Sequence, residues 1–177
     1  MKLIPNPYLL TDGKENEMKK AICTGSFDPV TNGHVNIFER ASKLVDELTV
    51  CVFVNKRKNY LFDVEERLNF LRESTRHISN IKIDSFDGLV ADYVKLHGIT
   101  AIIRGLRSTA DFEQEFNQVQ FTKRLAPEVE TIFLLTEIKL SFISSTGIRE
   151  LAKFHGDIGG LVPKCVEFAL NEKFAEI

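Results

Sequence analysis

The sequence predicts an α/β fold, a doubly wound sheet of about five parallel strands, on two observations. Short β-branched runs alternate with segments of helical periodicity, the βαβα order that a parallel sheet requires. The run Leu48-Thr49-Val50-Cys51-Val52-Phe53-Val54 is also almost continuously apolar, as expected of a strand covered on both faces. A length of 177 residues favours one domain with a self-sufficient core.

Residues 1–17 read as an extension outside that domain, because Pro5 and Pro7 punctuate it and residues 11–17 are polar and turn-like. It is either a tag remnant or a native tail, and the folded domain is expected over 18–177. A first strand at 21–23 ends in the turn of Gly25 and Pro29. Residues 34–45 carry Ile37, Phe38, Ala41, Leu44 and Val45 at helical spacing. After the strand at 48–54 comes a helix over 63–77 with Val64, Leu68 and Leu71 on one stripe. A strand at 81–83, a helix over 89–96 and a strand at 100–103 follow. Ser108 opens the next helix, with Asp111 three residues on as in a capping box, and Phe112, Phe116 and Val119 as its buried stripe. A fifth strand at 129–135 precedes helices from about 145 and over about 164–173.

In such sheets ligands bind beyond the carboxyl ends of the strands, near the topological switch point. The Gly25 turn, residues 55–58, Phe86-Asp87-Gly88 and Arg104-Gly105-Leu106-Arg107 each follow directly on a strand, so Gly, Lys and Arg gather at one edge.

A net charge of −2 and a pI near 6.1 argue against a general nucleic-acid binder. An anionic ligand then needs local cations, which Lys56-Arg57-Lys58 and Arg104 with Arg107 supply. The three cysteines, Cys23, Cys51 and Cys165, form no CxxC pair and read as buried reduced thiols. No apolar run approaches the ~20 residues of a membrane span, and the N-terminus lacks the pattern of a secretory signal. The cytoplasm is the expected compartment.

The chemistry concentrates in Thr24-Gly25-Ser26-Phe27-Asp28-Pro29-Val30-Thr31-Asn32-Gly33-His34. Gly25 lets the backbone approach a ligand, and Ser26 offers a hydroxyl and an amide. Gly33-His34 lies at the mouth of a helix, where amides and the helix dipole favour a phosphate. By themselves Gly33-His34 read more readily as a tight turn with a capping histidine than as a functional pair. Far along the chain, Ile143-Ser144-Ser145-Thr146-Gly147-Ile148-Arg149 sets hydroxyls and amides at another helix start, which alone is an ordinary N-cap.

Thr31-Asn32-Gly33-His34 resembles the T/HxGH signature of the nucleotidyltransferase superfamily, and residues 143–149 resemble its second signature. Residues 62–67, Arg104-Gly105-Leu106-Arg107 within 104–113, and 141–146 narrow the resemblance to the bacterial-type phosphopantetheine adenylyltransferases. It runs from Met18 to about Lys173. The resemblance implies a Rossmann-like sheet of nucleotidyltransferase type that transfers the adenylyl group of ATP to 4′-phosphopantetheine, with Mg²⁺ on the triphosphate. It also implies a homohexamer with coenzyme A as a feedback ligand.

Residue by residue, the family pattern puts Ser26 against both ATP and the acceptor phosphate and His34 at the α-phosphate. Lys58 and Arg104 fall where the family holds the phosphate of phosphopantetheine, and Val90 where its backbone meets the pantetheine arm. Ser26, Phe27, His34, Gly105, Leu106, Arg107 and Glu115 fall on the ATP side. So do Leu140, Ser141, Phe142, Ile143, Ser144, Ser145 and Thr146.

Plainer readings stay open for several of these residues. Lys56 and Arg57 read as a solvated loop. Glu115 shares a helix surface with Asp111 and Gln118, so a solvent-facing polar stripe fits it equally. Phe112, Phe116 and Phe121 suit a core or a subunit interface, and His77, His97 and His155 are surface or helix-end residues. Leu140 stands where many members carry an aromatic, Thr122 where asparagine is common, and Thr146-Gly147-Ile148-Arg149 leans toward the nicotinamide-nucleotide branch. The alternatives are therefore a nicotinamide or nicotinate mononucleotide adenylyltransferase and a non-catalytic nucleotide- or coenzyme A-binding regulator. A fragment of an aminoacyl-tRNA synthetase fails because the chain is short, acidic and without the lysine-rich second signature.

Overall fold

A computed structural model of the chain describes residues 18–55 and 59–175. Its elements are β1 (Lys20–Gly25), α1 (Asn32–Ala41), β2 (Glu47–Phe53), α2 (Val64–Thr75), β3 (Ile81–Phe86) and α3 (Val90–His97). They continue with β4 (Ala101–Leu106), α4 (Thr109–Leu125), β5 (Glu130–Leu135), α5 (Ser145–Lys153) and α6 (Lys164–Phe174). One parallel sheet runs β3-β2-β1-β4-β5. Because β1 and β4 are neighbours, the winding reverses between them, and that is the switch point where a ligand crevice opens.

Successive strand residues face opposite sides, and the burial follows this rule. Ala21 and Cys23 of β1, Leu48, Val50 and Val52 of β2, and Ile103 of β4 pack under α1, α2, α5 and α6, against Ile37, Phe38, Leu71, Ile148 and Leu170. Ile22, Cys51 and Ile102 face the other way, onto Ala91, Tyr93 and Val94 of α3 and onto Ile99, Ala126 and Val129. Both faces are covered, as the apolar run of β2 predicts.

The helix starts are set by their caps. Asp63 and Glu66 form a reciprocal capping box on α2. Ser108 caps α4 by accepting from the Asp111 N–H at 3.2 Å. The Asp111 carboxylate does not close the box, because Arg107 takes it instead. Cys23 and Cys51 are buried free thiols, while Cys165 is only half-buried. His77 meets Glu39 at 2.8 Å on the surface, and His97 stacks on Tyr93 with ring centroids 4.1 Å apart.

One expectation is corrected. The stripe of α4 is not buried by its own chain: Phe112 is 40% exposed, Phe116 46% and Phe121 71%, and α4 holds no buried residue. It lies beside β5 at the edge of the sheet, where Phe112 reaches Phe133 edge-on at 5.4 Å and no further layer of the described residues covers it. The 1–17 extension lies outside the described residues.

Candidate active site

At the carboxyl ends of β1 and β4 a cavity of about 400 Å³ opens, lined from the β1–α1 turn, the β4–α4 turn, one side of α4 and the start of α5. It brings together Ser26, Phe27, His34, Arg104, Gly105, Arg107, Glu115, Ile143, Ser144, Ser145 and Thr146. It does not gather every expected residue. The Leu106 side chain is buried in the sheet, and Phe142 is 70% exposed to solvent. The Ser141 hydroxyl donates to Ile138 O at 2.8 Å, and Leu140 packs against the core with only its carbonyl near Gly33. Val90 begins α3 at the far side of the β1 and β2 ends. Lys58 lies outside the described residues, and Phe86-Asp87-Gly88 does not line this cavity.

The β1–α1 turn is built around Phe27, whose φ of 46° puts a non-glycine residue in the left-handed region. Its ring packs edge-on to His34 at 5.3 Å and to Phe38 at 5.5 Å between centroids. Gly25 is required beneath it, since a Cβ there would stand 2.8 Å from the Phe27 ring. Gly105 has a similar reason: a Cβ would meet Ile37 at 2.9 Å.

His34 is held in one chemical state. The Thr31 N–H donates to its Nδ1 at 3.0 Å, with the Thr31 hydroxyl 3.1 Å from the same nitrogen. A backbone N–H can only donate, so Nδ1 carries no proton and the neutral ring keeps its hydrogen on Nε2. Burial first, and the positive charge of Arg107 second, push the imidazole down to about 4. At neutral pH His34 is therefore an uncharged N–H donor with a fixed tautomer. It suits stabilising charge on a phosphate rather than storing a proton.

The cations of the β4–α4 turn each meet a carboxylate on α4. Arg107 donates through Nε and Nη2 to Asp111 at 2.9 Å each, and through Nη1 to Ile143 O at 3.1 Å, tying the turn to the second signature. Burial alone would raise the Asp111 carboxyl, but hydrogen bonds from Arg107 outweigh it and hold it below the usual carboxylate range. Arg104 Nη1 stands 3.0 Å from Glu115 without hydrogen-bond alignment, and Arg104 Nε is buried with no hydrogen-bond partner among the described residues. A buried guanidinium N–H left this way is an anion site in waiting. Glu115 thus faces the cavity, and the solvent-stripe reading of that helix surface is set aside. Thr122 takes no part, because its hydroxyl donates to Gln118 O at 3.1 Å.

At the far wall Ser144 caps α5, accepting from the Gly147 N–H at 3.0 Å, so the open amides of that helix start face the cavity. The Ser145 hydroxyl donates to Pro29 O at 2.7 Å.

Three residues without an assigned role in the sequence prove to hold the turn from behind. Arg67, only 1% exposed, donates from Nη1 to Ser26 O at 2.8 Å and from Nε to Asp63 O at 3.1 Å, with its guanidinium 4.1 Å over the Tyr60 ring. Its signal was present: an arginine three residues past Val64 and four before Leu71, on the apolar stripe of α2. Buried Asp28 and half-buried Arg149 form an ion pair at 3.1 Å, which no spacing rule reveals because 121 residues separate them.

A family model described as cytidylyltransferase-like matches residues 22–151. Curated proteins named phosphopantetheine adenylyltransferase are similar over most of their length. One from Shouchella clausii is 50% identical across 89% of this chain and 99% of its own. Another, from Dictyoglomus turgidum, is 52% identical across 89% and 98%. Among solved structures, a Vibrio parahaemolyticus protein assigned provisionally as a nicotinate-nucleotide adenylyltransferase superposes with a TM-score of 0.65. It is 18% identical, with 89% and 95% of the two chains covered, and supports the fold alone.

Proposed function

The chain belongs to the phosphopantetheine adenylyltransferase family, and from this we infer that it transfers the adenylyl group of ATP to 4′-phosphopantetheine, giving dephospho-coenzyme A and pyrophosphate. The observation that carries the reading is the cavity itself. A neutral histidine N–H, a buried arginine N–H with no hydrogen-bond partner among the described residues and the open amides at the start of α5 share one crevice at the β1–β4 switch point.

No side chain in the cavity is placed as a covalent nucleophile. Cys23, which borders it, is pushed up to about 12 by burial, with Arg104 only partly opposing, so it stays a thiol. The reaction is accordingly direct. An oxygen of the acceptor phosphate attacks the α-phosphorus of ATP, the bond to the β-phosphate oxygen breaks, and pyrophosphate leaves in line. Such transfers need positioning and charge stabilisation more than covalent chemistry. Two anions must meet, so Arg104 and Lys58 screen the acceptor phosphate while His34 Nε2–H donates to the α-phosphate. Ser26 lies between the two substrates, Arg107 and the start of α5 hold the nucleotide phosphates, and Val90 meets the pantetheine arm.

ATP enters as its magnesium complex. Among the described residues no group of three or more His, Cys, Asp or Glu could hold a metal, and Asp111 and Glu115 are engaged by arginines. A magnesium ion bound with ATP would supply charge neutralisation on the phosphates, while Arg104 and Arg107 of this chain would face the same anions. Coenzyme A, sharing the adenylyl and pantetheine parts of the product, is expected to compete in the same cavity. The exposed phenylalanines of α4 suit self-association, and the homohexamer is taken from the family resemblance. Free buried thiols and an ATP-dependent reaction suit the cytoplasm; among the described residues no helix is long and apolar enough to cross a membrane.

Incubation of the purified protein with magnesium, ATP and each acceptor tests the reading. Pyrophosphate release with 4′-phosphopantetheine and not with nicotinate mononucleotide is expected, and the reverse preference would overturn it.

A further inference from the structure

Asp28 does not line the cavity and is 1% exposed, yet both of its carboxylate oxygens are in use. Oδ1 accepts from the Phe62 N–H at 3.0 Å. Oδ2 accepts from the Leu61 N–H at 2.9 Å and from Arg149 Nη1 at 3.1 Å. Arg149 Nη1 also donates to the Asp28 carbonyl. One buried carboxylate therefore ties three pieces of chain together: the signature turn, the segment entering α2, and α5.

Two of these pieces border the cavity, and the segment at Leu61 and Phe62 braces them from outside it. Helix α5 presents Ser144, Ser145 and Thr146 to the cavity, while the segment at Leu61 and Phe62 closes the connection out of β2. Ser26 lies between them, on the turn that carries Asp28. Two further bonds pin the same turn, Arg67 to Ser26 O and Ser145 to Pro29 O. Those grip backbone carbonyls that any residue would supply, whereas the Asp28 bonds need a carboxylate. An amide of the same shape would present an NH₂ to donors already aimed at it.

On the adenylyl-transfer reading above, we propose that Asp28, through Arg149, is a positioning residue that sets the signature turn, with Ser26, against the triphosphate side of the cavity. A displacement of about 1 Å at a reacting centre costs on the order of 10²-fold in rate. The role belongs to kcat, because Asp28 is sealed from both substrates.

The test compares wild type, Asp28→Asn, Arg149→Met and Arg149→Lys in steady-state pyrophosphate release, varying ATP and acceptor separately and working well below each melting temperature. The rate is referred to folded protein. We expect Asp28→Asn and Arg149→Met each to lose about 10²-fold in kcat, with both KM values within about threefold. Their double variant should lose little more than either alone, because they break one link. Arg149→Lys, which keeps a cation at the site, should recover about tenfold of the Arg149→Met loss.

Full turnover per folded molecule in the single variants, or a loss confined to one KM, overturns the proposal. Arg149 is 32% exposed in its side chain, so its variants keep the test decisive if Asp28→Asn does not fold. The wild-type arm tests the reaction itself with each acceptor, and the variant ratios are taken with the acceptor that wild type uses.

Discussion

The signature turn and helix α4 flank the same cavity and are finished in opposite ways. The turn is closed by its own chain: Asp28 and Thr31 are 1% exposed, and Arg67, Arg149 and Ser145 bond to the turn from α2 and α5. Helix α4 offers Asp111 and Glu115 to the cavity arginines but leaves Phe112, Phe116, Phe121 and Leu125 at 40–71% exposed. At 100° per residue Phe112 and Phe116 share one side of the helix and Phe121 and Leu125 the opposite side, so apolar groups stand exposed on both. Where chemistry demands fixed geometry, the fold supplies cross-braces. The adjoining helix leaves its phenylalanines exposed among the described residues.

The largest expected effect strikes the braced half. His34→Ala removes the Nε2–H donor and should lower kcat about 10²–10³-fold, as loss of a comparable transition-state donor does. Full turnover of this variant in a pyrophosphate-release assay would remove His34 from the chemistry. Next comes Arg104→Met, which should raise the KM for 4′-phosphopantetheine roughly 10–100-fold, since hydrogen bonds to charged groups contribute about 1.5–3 kcal/mol. The ATP KM should move far less; equal movement of both would place Arg104 on the nucleotide side.

The open half is tested by Phe116→Glu. Each exposed phenylalanine that a neighbouring subunit buries contributes about 1.5–3 kcal/mol, so a charge there should shift a hexamer to smaller species in light scattering. An unchanged mass for both Phe116→Glu and Phe121→Glu would mean that α4 is not the interface.

The acid response of His34 is smaller in scale. Its folded value near 4 lies below the ordinary value of about 6.5, so the unfolded chain takes up the proton first. The stability this group contributes is complete above about pH 6.5 and is lost as pH falls toward 4. His34→Asn should flatten that part of a melting-temperature profile, and an unaltered slope between pH 6.5 and 4 would contradict the buried neutral state. Smallest of all, Ser108→Ala deletes the α4 cap and should cost about 1 kcal/mol in chemical denaturation.

The strand and helix order was legible because local periodicity carries it. Leu48, Val50 and Val52 against Cys51 alternate across β2, and Asp63 and Ser108 announce α2 and α4 within a residue of their starts. Ser26, His34, Arg104 and residues 143–146 were legible as a set, since each follows a strand or opens a helix at the carboxyl edge, and the cavity gathers them. Leu106, Ser141 and Phe142 were assigned by pattern and stand outside its lining, because a motif marks a segment while the twist of the backbone decides which side chains turn inward. The α4 stripe was misread for a related reason. Periodicity reports that a face is apolar but not what covers it.

What the sequence by itself determined is the α/β order, the switch-point location of the site and the residue types that handle phosphate, all set by interactions within a few residues along the chain. Only the tertiary structure decided the tautomer of His34, the pairing of Arg104 with Glu115 and the grip of Arg67 and Arg149 on the turn. Burial and hydrogen bonding depend on groups brought close across long stretches of chain, 121 residues for Asp28 and Arg149, and electrostatic effects in a low-dielectric interior are settled by that proximity alone.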